Sequence, residues 1–121
     1  GGAFDFSTPK RVPLSEDLDV NFCLASAPRT EAAFAAQLTA PDGTSLRIET
    51  NAPGLQVYSG AHLPHMPGVL HGGANLAPYG GIALEPQFWP DALRHRHFPS
   101  ILLQPGDQWH QQTRYCLSKP T

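Results

Sequence analysis

Cysteine is scarce in this chain of 121 residues: Cys23 and Cys116 are the only two. That is too few for a disulfide scaffold, and no metal-ligand spacing joins them, so neither a stapled secreted fold nor a zinc module is indicated. Both thiols lie in apolar alternating segments and are expected to be buried and inert. An excess of one charge is missing as well. Eight basic and ten acidic residues leave a formal charge of −2, so no global field favours nucleic acid or an anionic membrane surface, and neutral molecules are the expected partners. No apolar run approaches the roughly 18 residues of a membrane-spanning helix, and no basic stretch followed by an apolar one opens the chain. The expectation is a soluble, cytoplasmic protein, with a periplasmic setting left open because two thiols do not settle the compartment. Gly-rich phosphate loops, a Gly-x-Ser-x-Gly elbow, internal repeats and low-complexity tracts are all absent. Gly1, with no Met, does not resemble a natural start, which reads as upstream material removed or never included.

Turn formers are plentiful. Thirteen prolines and eleven glycines make up roughly a fifth of the residues, above the average of about 12%, which argues against long helices and for short strands joined by turns. A chain of this size buries about two-thirds of its unfolded surface, enough for one core, so a single domain over residues 1–121 is expected. Residues 1–16 read as an irregular lead-in with at most one short edge strand. From Asp19, Val20, Phe22 and Leu24 alternate with Asn21 and Cys23, a strand to about Ala25. Strands over 34–40 and 45–51 flank Pro41-Asp42-Gly43-Thr44, the signature of a hairpin. After a turn at Ala52-Pro53-Gly54, residues 55–59 alternate again. Residues 61–79 lack sustained periodicity and form a long loop of the kind that is often functional or mobile. Residues 100–104 read as a short apolar strand, Pro105-Gly106 as a type II turn, and 107–118 as a final alternating strand. About seven strands at this spacing predict an all-β, antiparallel β-sandwich.

The stretch GGIALEPQFWPDA, residues 80–92, carries the chemistry. As a strand it sends Ile82, Leu84 and Phe88 to one side and Ala83, Glu85, Gln87 and Trp89 to the other. A carboxylate among apolar neighbours is costly unless it has partners or a task. Pro86 removes a ladder donor and holds Glu85 in the β or polyproline region, which fixes how the carboxylate is presented. A lone strand Glu is ordinarily exposed or ion-paired. Trp89 offers a ring on which a sugar face could stack, but packing is its expected role.

The run LEPQFWPDA, with FPSILLQPGDQW after it and FDFSTPK (residues 4–10), DVNF (19–22) and PGLQVYSG (53–60) before it, resembles the C-terminal part of the aldose 1-epimerase (galactose mutarotase) family. The resemblance implies a share of that family's large β-sandwich of two antiparallel sheets. It also implies sugar chemistry, in which one group takes the proton of the anomeric hydroxyl while another protonates the ring oxygen, and reclosure gives the other anomer of a hexose such as galactose or glucose. On that resemblance Glu85 is the general base, and Asp19 and Gln56 bind sugar hydroxyls, carboxylate and amide being suited to neighbouring hydroxyls. No cofactor or metal is implied, since acid and base groups suffice.

The family's acid histidine, its sugar-contacting Asn-Arg pair and a second histidine belong to motifs upstream of this stretch, and none of the histidines at 62, 65, 71, 95, 97 and 110 sits in the histidine motif. The chain is expected to hold the base and part of the sugar pocket. Its alternative reading is a non-catalytic carbohydrate-binding or structural β-sandwich. Val20 stands where the family usually has His, Pro86 where Thr is common and Phe88 where Asn or His is common. His62, His65 and His71 have no acidic or thiol partner at a metal spacing and read as polar surface, and residues 94–97, RHRH, read as a solvated loop. A third of a sandwich leaves open edges and bare apolar faces, so self-association or packing with the missing N-terminal portion is expected.

Overall fold

The computed structural model of the chain describes residues 2, 4–12 and 17–120. Among these are six strands: β1 (Asp19–Cys23), β2 (Ala33–Thr39), β3 (Ser45–Thr50), β4 (Gly54–Tyr58), β5 (Ala83–Gln87) and β6 (Thr113–Ser118). Helical backbone is limited to the 3-10 turns His71–Gly73 and Ala92–Arg94, and no described helix is long and apolar enough to cross a membrane. The strands form two antiparallel three-stranded sheets, ordered β1-β4-β5 and β2-β3-β6. This is the make-up of the all-β sandwich class that the composition implies. Of the lead-in, residues 1, 3 and 13–16 lie outside the described residues, and 4–12 carry no strand.

The chain divides into two compact units, Gly1–Val20 with Gln56–Glu85, and Asn21–Leu55 with Pro86–Thr121. The division falls inside β1, β4 and β5, so Asp19, Gln56 and Glu85 all belong to the first unit.

In the second unit the sequence writes the β2-β3 hairpin directly. Gly43 donates to the Ala40 carbonyl at 2.9 Å and Ala40 to that of Thr44 at 2.8 Å, with Gly43 left-handed at φ 81°, a conformation glycine adopts without steric cost. The Asp42 carboxylate closes the turn, accepting from the Thr44 N–H at 2.9 Å and its hydroxyl at 3.0 Å. On β3, Leu46 and Ile48 share one face and face Leu117 and Tyr115 of β6, while Arg47 and Glu49 share the other and face Cys116 and Arg114. A register shift between Phe34 and Ala36 interrupts the β2-β3 ladder.

Residues 50–55 are buried throughout, and their polar groups are paired in detail. The Pro53 carbonyl accepts from Leu24 N at 2.9 Å, Ala25 N at 3.2 Å and the Trp89 indole at 2.8 Å. The Asn51 backbone N–H donates to Gln112 O, its carbonyl accepts from Arg29 N, and its side-chain oxygen accepts from Gln112 N. Buried peptide groups demand such partners. This corner is where the chain leaves β3 and begins β4.

Several sequence expectations are corrected. Cys23 and Cys116 are exposed; Cys116 shares the Arg47 and Glu49 face of the sheet rather than the apolar one. Residues 100–104 form no strand, and Ile101, Leu102 and Leu103 are exposed; the Leu102 N–H is taken by the Ser100 hydroxyl, and an apolar run without a partner strand has no ladder to join. The last strand begins at Thr113 because His110 and Gln112 are engaged by Asn51 instead. β5 covers only 83–87, since Asp91 turns left-handed at φ 59° into the second 3-10 turn. Six strands are described rather than seven. Trp89 is half-buried, tied to Pro53 and set edge-on to Phe98 at 5.0 Å, the packing role expected of it. The Pro105-Gly106 turn forms as read, with Asp107 N donating to Gln104 O at 2.9 Å and Gly106 at φ 93°.

A methyl group at position 54 would meet Asn21 Oδ1 at 2.8 Å and Trp89 Cδ1 at 3.0 Å, and the indole is held by its own hydrogen bond. Gly54→Ala is therefore expected to lower stability by roughly 1–3 kcal/mol, read from the denaturant midpoint. Gly81→Ala, with nothing within 4 Å of the new carbon, should stay within about 0.5 kcal/mol. Equal losses at the two positions would mean the corner is not close-packed. On β3, the hydrogen bond from Arg47 and the nearby Arg114 hold the Glu49 carboxyl below its ordinary value of 4.5. A lowered native pKa contributes stability above the unfolded value that is lost as pH falls through the native one. The melting temperature should thus drop below about pH 4.5, and Glu49→Gln should flatten part of that slope. An unchanged slope in the variant would remove Glu49 from the acid response.

Candidate functional site

The first unit sets three sequence-predicted residues on three neighbouring strands. Asp19 opens β1, Gln56 is the third residue of β4, and Glu85 is the third residue of β5. β4 lies between the other two. Asp19 and Glu85 are exposed and Gln56 is half-buried. Glu85 is exposed between half-buried Leu84 and Pro86, as the alternation of β5 requires.

Asp19 and Gln56 meet. The Gln56 Nε2 donates to Asp19 Oδ1 at 2.5 Å, and because a carboxylate only accepts, this fixes which end of the amide faces which way. The other end, Gln56 Oε1, is buried and has no hydrogen-bond partner among the described residues. Leaving a buried acceptor unpaired costs about 1–3 kcal/mol. Residues two apart on a strand share a face, so Gln56 and Tyr58 stand on one side of β4, with Asp19 brought there by its bond. For Glu85 no hydrogen bond or ion pair to either residue is seen.

The structure also shows a second polar group of residues that the sequence reading did not assemble. The Tyr79 hydroxyl donates to Asp17 Oδ1 at 3.0 Å, His62 Nε2 lies 3.5 Å from Asp17 Oδ2, and the His62 backbone N–H donates to the Tyr58 hydroxyl at 2.7 Å. The bond to Asp17 raises the Tyr79 phenol above its ordinary value, since the carboxylate favours the protonated donor. Tyr79 is held left-handed at φ 58°, with its N–H on the Gly60 carbonyl at 2.8 Å. In the sequence Asp17 and Asp19 flank Leu18, which is 1% exposed.

The long loop is not formless. Met66 and Leu76 pair as an antiparallel bridge, and Gly68 N donates to the Asn75 side chain at 3.1 Å. In the second unit, an open hollow of about 340 Å³ is lined by residues 87–93 and Ile101. It contains none of Asp19, Gln56 and Glu85. Among the described residues no group of three or more His, Cys, Asp or Glu side chains is placed to hold a metal ion.

The family model described as Aldose 1-epimerase matches residues 1–116. The chain is similar to galactose mutarotase of Bos taurus, with 37% identity over 129 aligned residues that cover 98% of this chain and 36% of that protein. It is similar to galactose mutarotase of Homo sapiens at 36% identity with the same coverage, and to aldose 1-epimerase of Escherichia coli at 35% identity over 64% of this chain and 22% of that protein. The chain thus spans about a third of the length of the curated relatives it matches.

Proposed function

Because the chain belongs to the aldose 1-epimerase family, we propose that it supplies the base and part of the hydroxyl-binding wall of a site that interconverts the α and β anomers of a hexose such as galactose or glucose. Glu85 removes the proton of the anomeric hydroxyl. The bond between the anomeric carbon and the ring oxygen breaks as that oxygen takes a proton from an acid group, which this reading assigns to the family's upstream histidine motif. Rotation about the bond next to the freed carbonyl and reclosure with the proton transfers reversed give the other anomer. Asp19 and Gln56 hold hydroxyls.

The observation that supports this best is the Asp19–Gln56 hydrogen bond, which locks an amide on the strand beside that of Glu85 and leaves its buried oxygen unpaired. An amide oxygen and a carboxylate side by side accept from vicinal hydroxyls without adding net charge beyond the one carboxylate. The same reading puts the chain in the cytoplasm, with a periplasmic setting as the alternative.

A macromolecular partner belongs to the proposal. Large apolar side chains are uncovered toward the C-terminus: Leu93, Leu102, Trp109 and Leu117 are each more than 60% exposed. β6, an edge of its sheet, carries exposed Tyr115 and Leu117 on the face that buries Ile48 further in. An unprotected edge with apolar residues is a template for pairing. In a family-length chain the remaining two-thirds cover this surface; alone, the chain associates with itself.

Two measurements check these readings. Following the optical rotation of freshly dissolved α-D-glucose, the chain joined to the upstream portion of a family member that carries the acid should speed the approach to equilibrium, and Glu85→Gln in it should remove about 99% or more of the catalysed rate, general acid–base steps contributing about 10² to 10⁴. Equal rates for the two proteins would take Glu85 out of the chemistry, and glucose binding with no acceleration would mark a carbohydrate-binding module instead. Sedimentation velocity at micromolar concentration should show dimers or larger species that Leu117→Lys shifts toward monomer. A strictly monomeric parent chain would refute the partner surface.

A further inference from the structure

Pro86 follows Glu85 directly, and its carbonyl is taken by a side chain rather than by a strand. Gln111 donates to it through Nε2 at 2.9 Å, across 25 positions of the chain. The donor differs from its surroundings. Residues 100–110 are all exposed, as is Gln112, while Gln111 between them is half-buried. Its backbone is anchored on both sides by one residue of the buried corner: the Asn51 amide donates to the His110 carbonyl at 3.4 Å, and its side-chain oxygen accepts from Gln112 N at 2.9 Å. The Gln112 carbonyl in turn accepts from the Asn51 backbone N–H at 3.2 Å and from the Thr50 hydroxyl at 3.2 Å. A side chain carried on a backbone held at both neighbours delivers its amide to one place.

That place has leverage over Glu85 because of what proline does to the torsions around it. β5 stands at the end of its sheet with β4 as its strand neighbour, and a proline sits in such a strand where its missing donor turns away from the ladder. The N and C=O of one strand residue point the same way, and those of the next residue the opposite way. The Pro86 carbonyl therefore faces the open side of β5, where the Gln111 amide meets it. Between that carbonyl and the α-carbon of Glu85 the chain has little freedom. The pyrrolidine ring locks φ of Pro86 and the intervening peptide bond is planar, so ψ of Pro86 is the soft torsion, and Gln111 holds it. The next torsion back, ψ of Glu85, is itself confined by the proline that follows. Fixing the Pro86 carbonyl thus fixes the direction in which the Glu85 side chain leaves the strand.

We propose that Gln111 is a positioning residue for Glu85, keeping the base aimed by holding the carbonyl of the residue after it. This rests on the reading of Glu85 as the base. Gln111 takes no part in proton transfer or in binding the sugar. Loss of a purely structural tie lowers stability, whereas loss of a positioning residue lowers kcat and leaves KM in place, because it acts on the transition state and not on ground-state binding.

The test uses the chain joined to the upstream portion of a family member that carries the acid, with optical rotation of α-D-glucose as the assay. Gln111→Met keeps the length of the side chain and removes the donor. It should lower kcat about tenfold, a fraction of the roughly 10²-fold that a misplacement of about 1 Å costs, with KM within about twofold of the parent. Gln111→His restores a neutral N–H donor without adding a charge near Glu85, and should recover most of the lost kcat. Pro86→Ala leaves Gln111 intact but frees φ, and should lower kcat in the same way. Amide NMR dispersion reports that each variant is folded. An unchanged kcat in Gln111→Met or in Pro86→Ala, or a loss that Gln111→His does not recover, overturns the positioning role and leaves Glu85 as the base wherever Glu85→Gln abolishes the rate. A rate that survives Glu85→Gln overturns the base reading and the positioning role together.

Discussion

One carbonyl, that of Pro53, organises the second unit. It accepts three donors, from Leu24, Ala25 and Trp89, at the centre of the only described run of six consecutive residues that are all buried. A buried corner of backbone is permissible only where every peptide group finds a partner, and the neighbours of Pro53 meet that condition with side chains chosen for it. Asn51 presents an amide that imitates a strand edge to Gln112, and Thr50 uses its hydroxyl to accept from Ala52 N at 3.1 Å. The absence of a side chain at Gly54 lets Asn21 and Trp89 approach the chain. These requirements explain why β6 starts late. The segment before it is occupied with the corner rather than with a neighbouring strand.

How much of this could be read in advance depended on range along the chain. The β2-β3 hairpin was legible because Pro41, Asp42 and Gly43 determine their own turn and the flanking alternation fixes register; the Pro105-Gly106 turn was legible for the same reason. Residues 100–104 misled because apolar composition describes a strand's surface and not the existence of a partner to bond with. Cys116 misled because alternation gives two faces without saying which is covered, and the Arg47 and Glu49 face of the sheet is the one that claims it. For the candidate site, the family motifs named Asp19, Gln56 and Glu85, and the fold sets them on adjacent strands. The bond of Tyr79 to Asp17 spans 62 positions and leaves no periodic trace.

In the first unit, Asp17, Asp19, His62 and Tyr79 are exposed around β1 and β4, groups that can both meet water and bind a hydroxyl, and Met66, Val69 and Leu70 are exposed in the loop between β4 and β5. Toward the C-terminus of the second unit the exposed groups include Leu102, Leu103, Trp109 and Leu117, which gain little from water and much from burial. The first kind of surface suits a small hydrated ligand and the second a protein chain. Both occur on 121 residues that match about a third of their relatives' length.

Unpaired buried atoms sharpen the choice of site. Among the described residues, Asn21 Oδ1, Arg29 Nη1, Gln56 Oε1 and Ser59 Oγ have buried polar atoms without a hydrogen-bond partner. Asn21 Oδ1 lies against Gly54 in the packed corner, where no ligand has room, and Arg29 is already held through Nη2 on the Leu24 carbonyl at 2.9 Å. Ser59 is 0% exposed, and a hydroxyl can rotate toward whatever acceptor is nearest. Gln56 differs from all three. Its amide cannot rotate without placing oxygen against the Asp19 carboxylate, so the acceptor is aimed by electrostatics, and the residue itself remains partly open to solvent. A polar group that is fixed and short of a donor meets part of what preorganised binding of a hydroxyl requires, and this sets Gln56 apart from the other three.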